Sequence, residues 1–129
     1  MKSEAEVQAE IQILGPHYAC QLMRNNSGAL KNDRGEHVRY GLGNISKKHN
    51  DKIKSSDLIG FTTITVTPEM IGKRLAVITA VEVKSESWCP DMLDAHESAQ
   101  NAFIQWIRSA GGFAGFANSV EQFRRILGV

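Results

Sequence analysis

Two charged residues near the end of an apolar segment are the first sign of chemistry in this chain. The segment 75–84 (LAVITAVEVK) is predicted to be a strand because it is rich in β-branched residues. Side chains alternate along a strand, so Glu82 and Lys84 share one face, about 7 Å apart along the strand. Burying a charge costs several kcal/mol unless it is paired or bound to metal. The two residues therefore mark either a functional site or the point where the strand emerges into solvent.

Asp57 is a third polar residue at the border of an apolar segment. It opens a predicted strand over 57–67 (DLIGFTTITVT), and the short connection to 75–84 favours an antiparallel hairpin. Such a hairpin would bring Asp57 towards Glu82. Two carboxylates can hold Mg²⁺, the metal can activate a water, and a lysine beside it can stabilise a phosphorane. The alternative is that Asp57 only closes a turn.

The elements that must position these residues follow from capping and periodicity. Ser3 and Glu6 form a capping box for a helix that ends at Gly15 and Pro16. Further strands are predicted over 18–24 and 113–117, and further helices over 95–110 and from a second capping box, Ser119 to Gln122, to Gly128. The segment 29–55 is expected to be a long loop. The order α-β-loop-β-β-α-β-α predicts a single α/β domain over 1–129, of a size ordinary for one domain.

Two further expectations concern burial. Residues on both faces of 75–84 are largely apolar, which predicts a central strand covered on both sides. Trp106 lies on the apolar side of the helix over 95–110 and is assigned to the core. Trp88 follows the 75–84 strand in a loop, and its role is open between packing and stacking on a base.

Composition restricts the class of protein. The chain is 42% hydrophobic and 22% charged, which excludes wholesale disorder. No apolar run approaches the roughly 18 residues of a membrane helix, and the acidic start MKSEAEVQAE is unlike a secretion signal. The expectation is a cytoplasmic protein that does not engage a membrane.

Charge is unevenly distributed along the chain. The segment 31–54 has seven basic and three acidic residues, a net +4, whereas the whole chain is +1 and the remainder is therefore −3. Such a segment is either a phosphate-binding surface or a solvated loop. The candidate DNA contacts are Arg24, Arg39, Lys47, Lys48, Lys52 and Lys54.

Several of these residues form motifs that resemble those of a known protein family. Asp57 followed by Glu82-Val83-Lys84 resembles the D…(D/E)xK signature of the PD-(D/E)XK nucleases. A longer ordered set resembles the virus-type replication-repair nuclease (VRR-NUC) domain, most closely its stand-alone phage form. This set consists of Glu4-x-x-Val7-Gln8, Arg24-Asn25-Asn26-Ser27-Gly28, Val38-Arg39-Tyr40-Gly41-Leu42, Ser55-Ser56-Asp57-Leu58-Ile59-Gly60, Glu82-Val83-Lys84, Gln100 and Gly111-Gly112-Phe113-Ala114.

The resemblance implies a restriction-endonuclease-like core, with a mixed central sheet flanked by helices. It also implies Mg²⁺, replaceable by Mn²⁺, and a homodimer that cleaves branched or otherwise structured DNA. By the same resemblance Asp57, Glu82 and the Val83 carbonyl are metal ligands and Lys84 is the catalytic lysine. Gln100 and Glu4 match a helix glutamine and an N-terminal glutamate, with Glu6 as the alternative to Glu4. Lys54 stands where the family often has glycine.

The sequence thus predicts a metal-dependent endodeoxyribonuclease, located in the host cytoplasm if phage-encoded. The first alternative is a non-catalytic DNA-binding module on the same fold. The second is a structural or adaptor protein in which the Asp and the ExK sequence are coincidental. An intact Asp57, Glu82 and Lys84 set favours the enzyme, because a binder needs basic residues rather than a carboxylate pair.

Overall fold

Four helices and six strands run through the chain in the order α1-β1-β2-β3-α2-β4-β5-α3-β6-α4, so the fold is of the mixed α/β class. A computed structural model describes all residues, 1–129. It consists of two compact units, Met1–Ile64 and Thr65–Val129. The helices are α1 (Glu4–Leu14), α2 (Lys47–Lys52), α3 (Ala95–Ser109) and α4 (Val120–Leu127), and the strands are β1 (Cys20–Arg24), β2 (Gly28–Lys31), β3 (His37–Tyr40), β4 (Leu58–Thr62), β5 (Thr79–Val83) and β6 (Phe113–Ala117).

The first unit begins with the predicted capping box. Ser3 Oγ accepts a hydrogen bond from Glu6 N, and the Glu6 carboxylate accepts one from Ser3 N at 2.7 Å. The Glu6 carboxylate also accepts from Ser3 Oγ at 3.0 Å, and the bonds it accepts from Ser3 N and Ser3 Oγ lower the pKa of Glu6 below its ordinary 4.5. The helix ends before Gly15, as predicted, and a short 3-10 turn over Gly15–Tyr18 leads into β1.

Two antiparallel pairs make up the strands of the first unit. β1 pairs with β4, with Cys20 opposite Thr62 and Arg24 opposite Leu58. β2 pairs with β3 across a turn in which Asn32 Oδ1 accepts from the backbone of Arg34 and Glu36. The expectation of a loop over 29–55 was therefore wrong, because this segment forms a hairpin and the helix α2. The Asn-Asp-Arg-Gly turn was the overlooked signal, since Asn side chains and glycine favour such turns.

The second unit is built around a parallel pair. β5 and β6 run side by side from Thr79 opposite Phe113 to Val83 opposite Ala117. A parallel pair needs a crossover, and α3 supplies it. The buried core of this unit lies where α3 meets β6, and it consists of Ile104, Ile107, Ala114 and Ala117.

Strand pairing departs from the sequence prediction. β4 pairs with β1 and β5 with β6, so the predicted hairpin of these two strands was wrong. Sixteen residues, 63–78, separate β4 from β5, and a turn fixes the register of a hairpin only when the connection is short. The hydrogen bonds join the strands into three two-stranded sheets where one mixed sheet was predicted. The single domain over 1–129 stays a prediction.

Two burial predictions were also wrong. β5 is not covered on both sides: Val83 is 75% exposed and the remaining side chains are half-buried or exposed. Trp106 is 39% exposed, and its ring meets that of Phe103 edge-on at 5.8 Å. The buried face of α3 instead carries Ile104 and Ile107, which are one turn apart. The apolar stripe on this helix is wider than the face that the core covers.

Helix caps in the second unit show one prediction half confirmed and one cap that was missed. Ser119 Oγ accepts from Gln122 N as predicted, but the Gln122 side chain accepts from Asn118 N instead of completing the box. Asp94 and Glu97 form a full capping box at the start of α3. No helix of the chain combines the length and the apolar composition needed to cross a membrane.

Candidate active site

Asp57 lies at the start of β4, and Asn25 holds the backbone around it. Asn25 N donates to the Asp57 carbonyl at 2.8 Å. Asn25 Nδ2 donates to Ser55 Oγ at 2.7 Å and to the Ser56 carbonyl at 2.9 Å. The Asp57 carboxylate has no protein partner and its residue is exposed. The loop is therefore fixed while its carboxylate stays available to a ligand.

The same asparagine also fixes a third segment. Asn25 Oδ1 accepts from Leu42 N at 3.2 Å. Gly41, just before, has φ +97°, and a Cβ there would lie 2.3 Å from Ser27 Cβ, so only glycine fits. Three of the segments that carry the family resemblance, 24–28, 38–42 and 55–60, thus meet at one amide side chain.

A cavity of about 740 Å³ in the first unit brings several predicted residues together. Glu4, Gln8, Arg24 and Asp57 all line it. Glu6 does not line the cavity, and its carboxylate is engaged by Ser3. Of the two alternatives, Glu4 therefore shares a cavity with Asp57 and Glu6 does not.

A second cavity, of about 400 Å³, lies in the second unit. Its walls are mostly apolar, and its polar lining residues are Glu82, His96 and Gln100. Glu82 is half-buried, and its carboxylate makes no hydrogen bond or ion pair with the protein. A half-buried carboxylate without a partner is available to a cation, because binding one offsets the cost of its burial.

Lys84 follows β5 directly and is held from several sides. Its backbone N donates to the Ala117 carbonyl at 2.9 Å, which extends the β5–β6 ladder by one residue. Its Nζ donates to Gln100 Oε1 at 2.9 Å and lies 3.4 Å from the Glu97 carboxylate. The Lys84 and Glu97 side chains are each only 14% exposed. The predicted lysine and the predicted helix glutamine are therefore in direct contact.

Glu97 was not predicted as a site residue, and it contacts Lys84. Its carboxylate accepts from Trp88 Nε1 at 2.6 Å and from Asp94 N at 3.1 Å. The pKa of Glu97 is lowered from its ordinary 4.5, first by the Trp88 bond, then by Asp94 N, and further by Lys84. The Asp94-x-x-Glu97 capping box was the signal that could have drawn attention to it.

Trp88, whose role the sequence left open, is fixed inside the second unit. Its ring packs on Phe116 with centroids 5.0 Å apart, and its carbonyl accepts from Asn118 Nδ2 at 3.3 Å. Lys84 Nζ lies 5.9 Å from the Trp88 ring and 5.4 Å from the Phe116 ring. The indole is thus a support for Glu97 and Lys84 and is half-buried rather than free to stack on a base.

The predicted DNA contacts differ in availability. Arg39 Nη1 donates to Oδ1 of the buried Asn44 at 2.8 Å, so this guanidinium also braces the hairpin. Lys47 pairs with Asp51 at 3.0 Å on the exposed side of α2. The remaining candidates are exposed and have no ion-pair partner: Arg24, Lys48, Lys52 and Lys54.

The carboxylates of the predicted metal ligands are of the type that binds a hard divalent cation, but they do not form a cluster. Asp57 and Glu82 are carboxylates without protein partners, and oxygen ligands of this kind are those Mg²⁺ prefers. The first belongs to the first unit and the second to the second unit. No three side chains of His, Cys, Asp or Glu cluster as a ready metal-binding group. No protein-family model, curated protein or solved structure matches the chain.

Proposed function

We propose that this protein is a metal-dependent DNA endonuclease that hydrolyses phosphodiester bonds of branched or structured DNA. The observation that carries the proposal is the contact between Lys84 Nζ and Gln100 Oε1 beside the cavity lined by Glu82. The family resemblance assigns a carboxylate, a lysine and a helix glutamine to the site, and Glu82, Lys84 and Gln100 are the residues predicted for these roles. The restriction-endonuclease-like core and the homodimer belong to the same proposal.

The roles of the side chains follow from their chemistry. Asp57 in the first unit, and Glu82 with the Val83 carbonyl in the second, are each proposed as cation ligands. A bound cation would activate a water and offset phosphoryl charge. Lys84 carries a positive charge that stabilises the extra negative charge of the phosphorane. Gln100 accepts a hydrogen bond from Lys84 and thereby aims the ammonium group. Glu4 shares the cavity of Asp57 and would assist on that side.

Exposed basic side chains support a nucleic-acid substrate. Lys48, Lys52 and Lys54 are solvent-exposed and unpaired, and they precede Asp57 in the chain. Negative carboxylates repel the DNA backbone until a cation is bound, so compensating positive charge is needed nearby. We assign that charge to α2 and the residue Lys54 that follows it.

A cleavage panel tests the proposal. Labelled single-stranded, duplex, nicked, flap and four-way-junction DNA are incubated with the protein, with and without Mg²⁺. We expect cleavage of at least one structured DNA with Mg²⁺ or Mn²⁺, and none with Lys84→Ala. Binding without cleavage across the panel would instead identify a non-catalytic DNA-binding module. Neither binding nor cleavage would leave an adaptor protein.

Titration with Mn²⁺ tests the metal assignment separately from activity. Calorimetry should show binding to the wild-type protein and a loss of binding in Asp57→Asn and in Glu82→Gln. Glu86→Gln is the matched control, since Glu86 is an exposed carboxylate on the loop after β5. Equal Mn²⁺ affinity in all four proteins would overturn the assignment of both ligands.

A further inference from the structure

We propose that Glu97 is a positioning residue of this site, which holds the Lys84 ammonium group against Gln100 and is itself held in place by Trp88. The expected effect of Glu97 on catalysis rests on the proposed nuclease function. The contacts that hold Lys84 do not depend on that function. Nothing in the D…(D/E)xK signature requires a glutamate at this position.

The first step is that Glu97 has little freedom to move. One carboxylate oxygen, Oε1, accepts from Trp88 Nε1 at 2.6 Å, and the other, Oε2, accepts from Asp94 N at 3.1 Å. The backbone N of Glu97 donates in turn to the Asp94 side chain at 2.7 Å. Side chain and backbone are thus both fixed at the first turn of α3, and the carboxylate has one orientation.

The second step is that Trp88 is fixed independently of Glu97. Its ring packs on Phe116 of β6, and Asn118 Nδ2 donates to the carbonyls of Glu86 and Trp88. The loop after β5 is therefore anchored to the end of β6. The hydrogen bond from Trp88 Nε1 to Glu97 Oε1 connects Glu97 to this anchored loop.

The third step concerns the direction of the lysine. Glu97 and Gln100 are three residues apart on α3, so they lie on one face of the helix and hold Lys84 Nζ between a carboxylate and an amide oxygen. The Trp88 and Phe116 rings lie 5–6 Å from the same nitrogen. A lysine has a long flexible stem, and these groups together restrict it to one direction.

Steady-state cleavage kinetics test the functional half of the proposal. Glu97→Gln keeps the shape and removes the charge, and kcat should fall about tenfold to a hundredfold, as expected for a misplaced reactive group. KM for DNA should stay within about twofold, because Glu97 does not contact the substrate. Glu86→Gln is the matched control, with the same charge change on the neighbouring loop, and should retain the wild-type kcat.

A double-mutant cycle tests whether Trp88 acts through Glu97. Trp88→Phe removes the Nε1 donor and keeps a ring against Phe116, and it should lower kcat several-fold. In the Glu97→Gln background the same change should have little further effect, since residues that act as one unit are not additive. Full additivity would show that Trp88 only supports the fold, and it would overturn its part in the proposal.

A readout without DNA separates this proposal from the nuclease function. Acetylation of lysines by acetic anhydride, followed by mass spectrometry, reports how accessible each ammonium group is. Lys84 should react several-fold faster in Glu97→Gln than in the wild type. Two rates should stay at their wild-type values: that of Lys73 in Glu97→Gln and that of Lys84 in Glu86→Gln. Equal Lys84 reactivity in Glu97→Gln and wild type would overturn the positioning role, even if the wild type cleaves DNA. Faster Lys84 labelling in a protein that cleaves nothing would uphold the contact and reject the nuclease function, and with it the catalytic consequence of Glu97.

Discussion

Asn25 Nδ2 donates a 2.7 Å hydrogen bond to Ser55 Oγ, across 30 residues of sequence. This bond ties the end of β1 to the loop that presents Asp57. Oδ1 of the same side chain accepts from Leu42 N, so both the nitrogen and the oxygen of the amide are hydrogen-bonded. The Asn25 side chain therefore links the end of β1 to the segment after β3 and to the loop before β4.

Asn25→Ala should destabilise the protein by about 1–3 kcal/mol, because it removes three hydrogen bonds, of which the one to Ser55 Oγ is partly buried. Urea unfolding measured by circular dichroism gives the change in the free energy of unfolding. The neighbouring Asn26 is exposed, and its side chain has no hydrogen-bond partner, so Asn26→Ala is the matched control. Equal stability of the two variants would contradict the role assigned to Asn25.

Glu82→Gln, Asp57→Asn and Lys84→Ala should each abolish DNA cleavage while the protein stays folded. Each lies at the end or border of a strand rather than in the buried core. Any one of these changes should cost about as much as all three together, because residues that act as a unit are not additive. Gel-based cleavage assays and circular dichroism measure the two properties. Near-wild-type rates in two of the three variants would refute the catalytic assignment.

Replacing Lys47, Lys48 and Lys52 with Ala should weaken DNA binding and flatten its dependence on salt. Each lost phosphate contact lowers the slope of log K against log salt by about 0.9 for duplex DNA. Fluorescence anisotropy at several salt concentrations, in a Lys84→Ala background, gives that slope. Changing Lys73 and Arg74 to Ala removes positive charge outside α2 and should leave it unaltered. An unaltered slope in the α2 variant would show that α2 is a solvated surface that does not contact DNA.

Acid should remove part of the stability that Glu97 contributes. Its pKa in the folded protein lies below 4.5, so its contribution is present above pH 4.5 and is lost as the pH falls through the folded pKa. Glu97→Gln should therefore be less stable than the wild type at neutral pH, with a difference that narrows below pH 4.5. Denaturant unfolding across this pH range measures the difference, and a gap independent of pH would contradict it.

The protein should be a homodimer in solution. A chain of 14.2 kDa buries a small core, and one copy covers little of a branched DNA. Multi-angle light scattering at micromolar protein should return twice 14.2 kDa. A particle of 14.2 kDa would show that the homodimer suggested by the family resemblance is not formed.

Local signals predicted the elements better than their partners. The Ser3 capping box, the strand over 113–117 and the helix that becomes α3 depend on neighbours in sequence, and they were confirmed. The partner of β5 was missed because strand propensity does not encode which strand lies alongside. Lys84 and Gln100 were found together through the family resemblance. Glu97 was missed because its role depends on Trp88 and Lys84, which periodicity does not connect to it.

The pairing of β5 with β6 has a consequence for how this protein folds. Thr79 lies opposite Phe113, a separation of 34 residues, and the β1–β4 pair spans a similar distance from Arg24 to Leu58. Such pairings close long loops, so they form slowly compared with local helices. A chain still emerging from the ribosome at residue 112 would contain Glu82, Lys84 and Gln100 but no partner strand to align them. The contacts of Lys84 with Ala117 and Phe116 therefore form only after β6 has been synthesised.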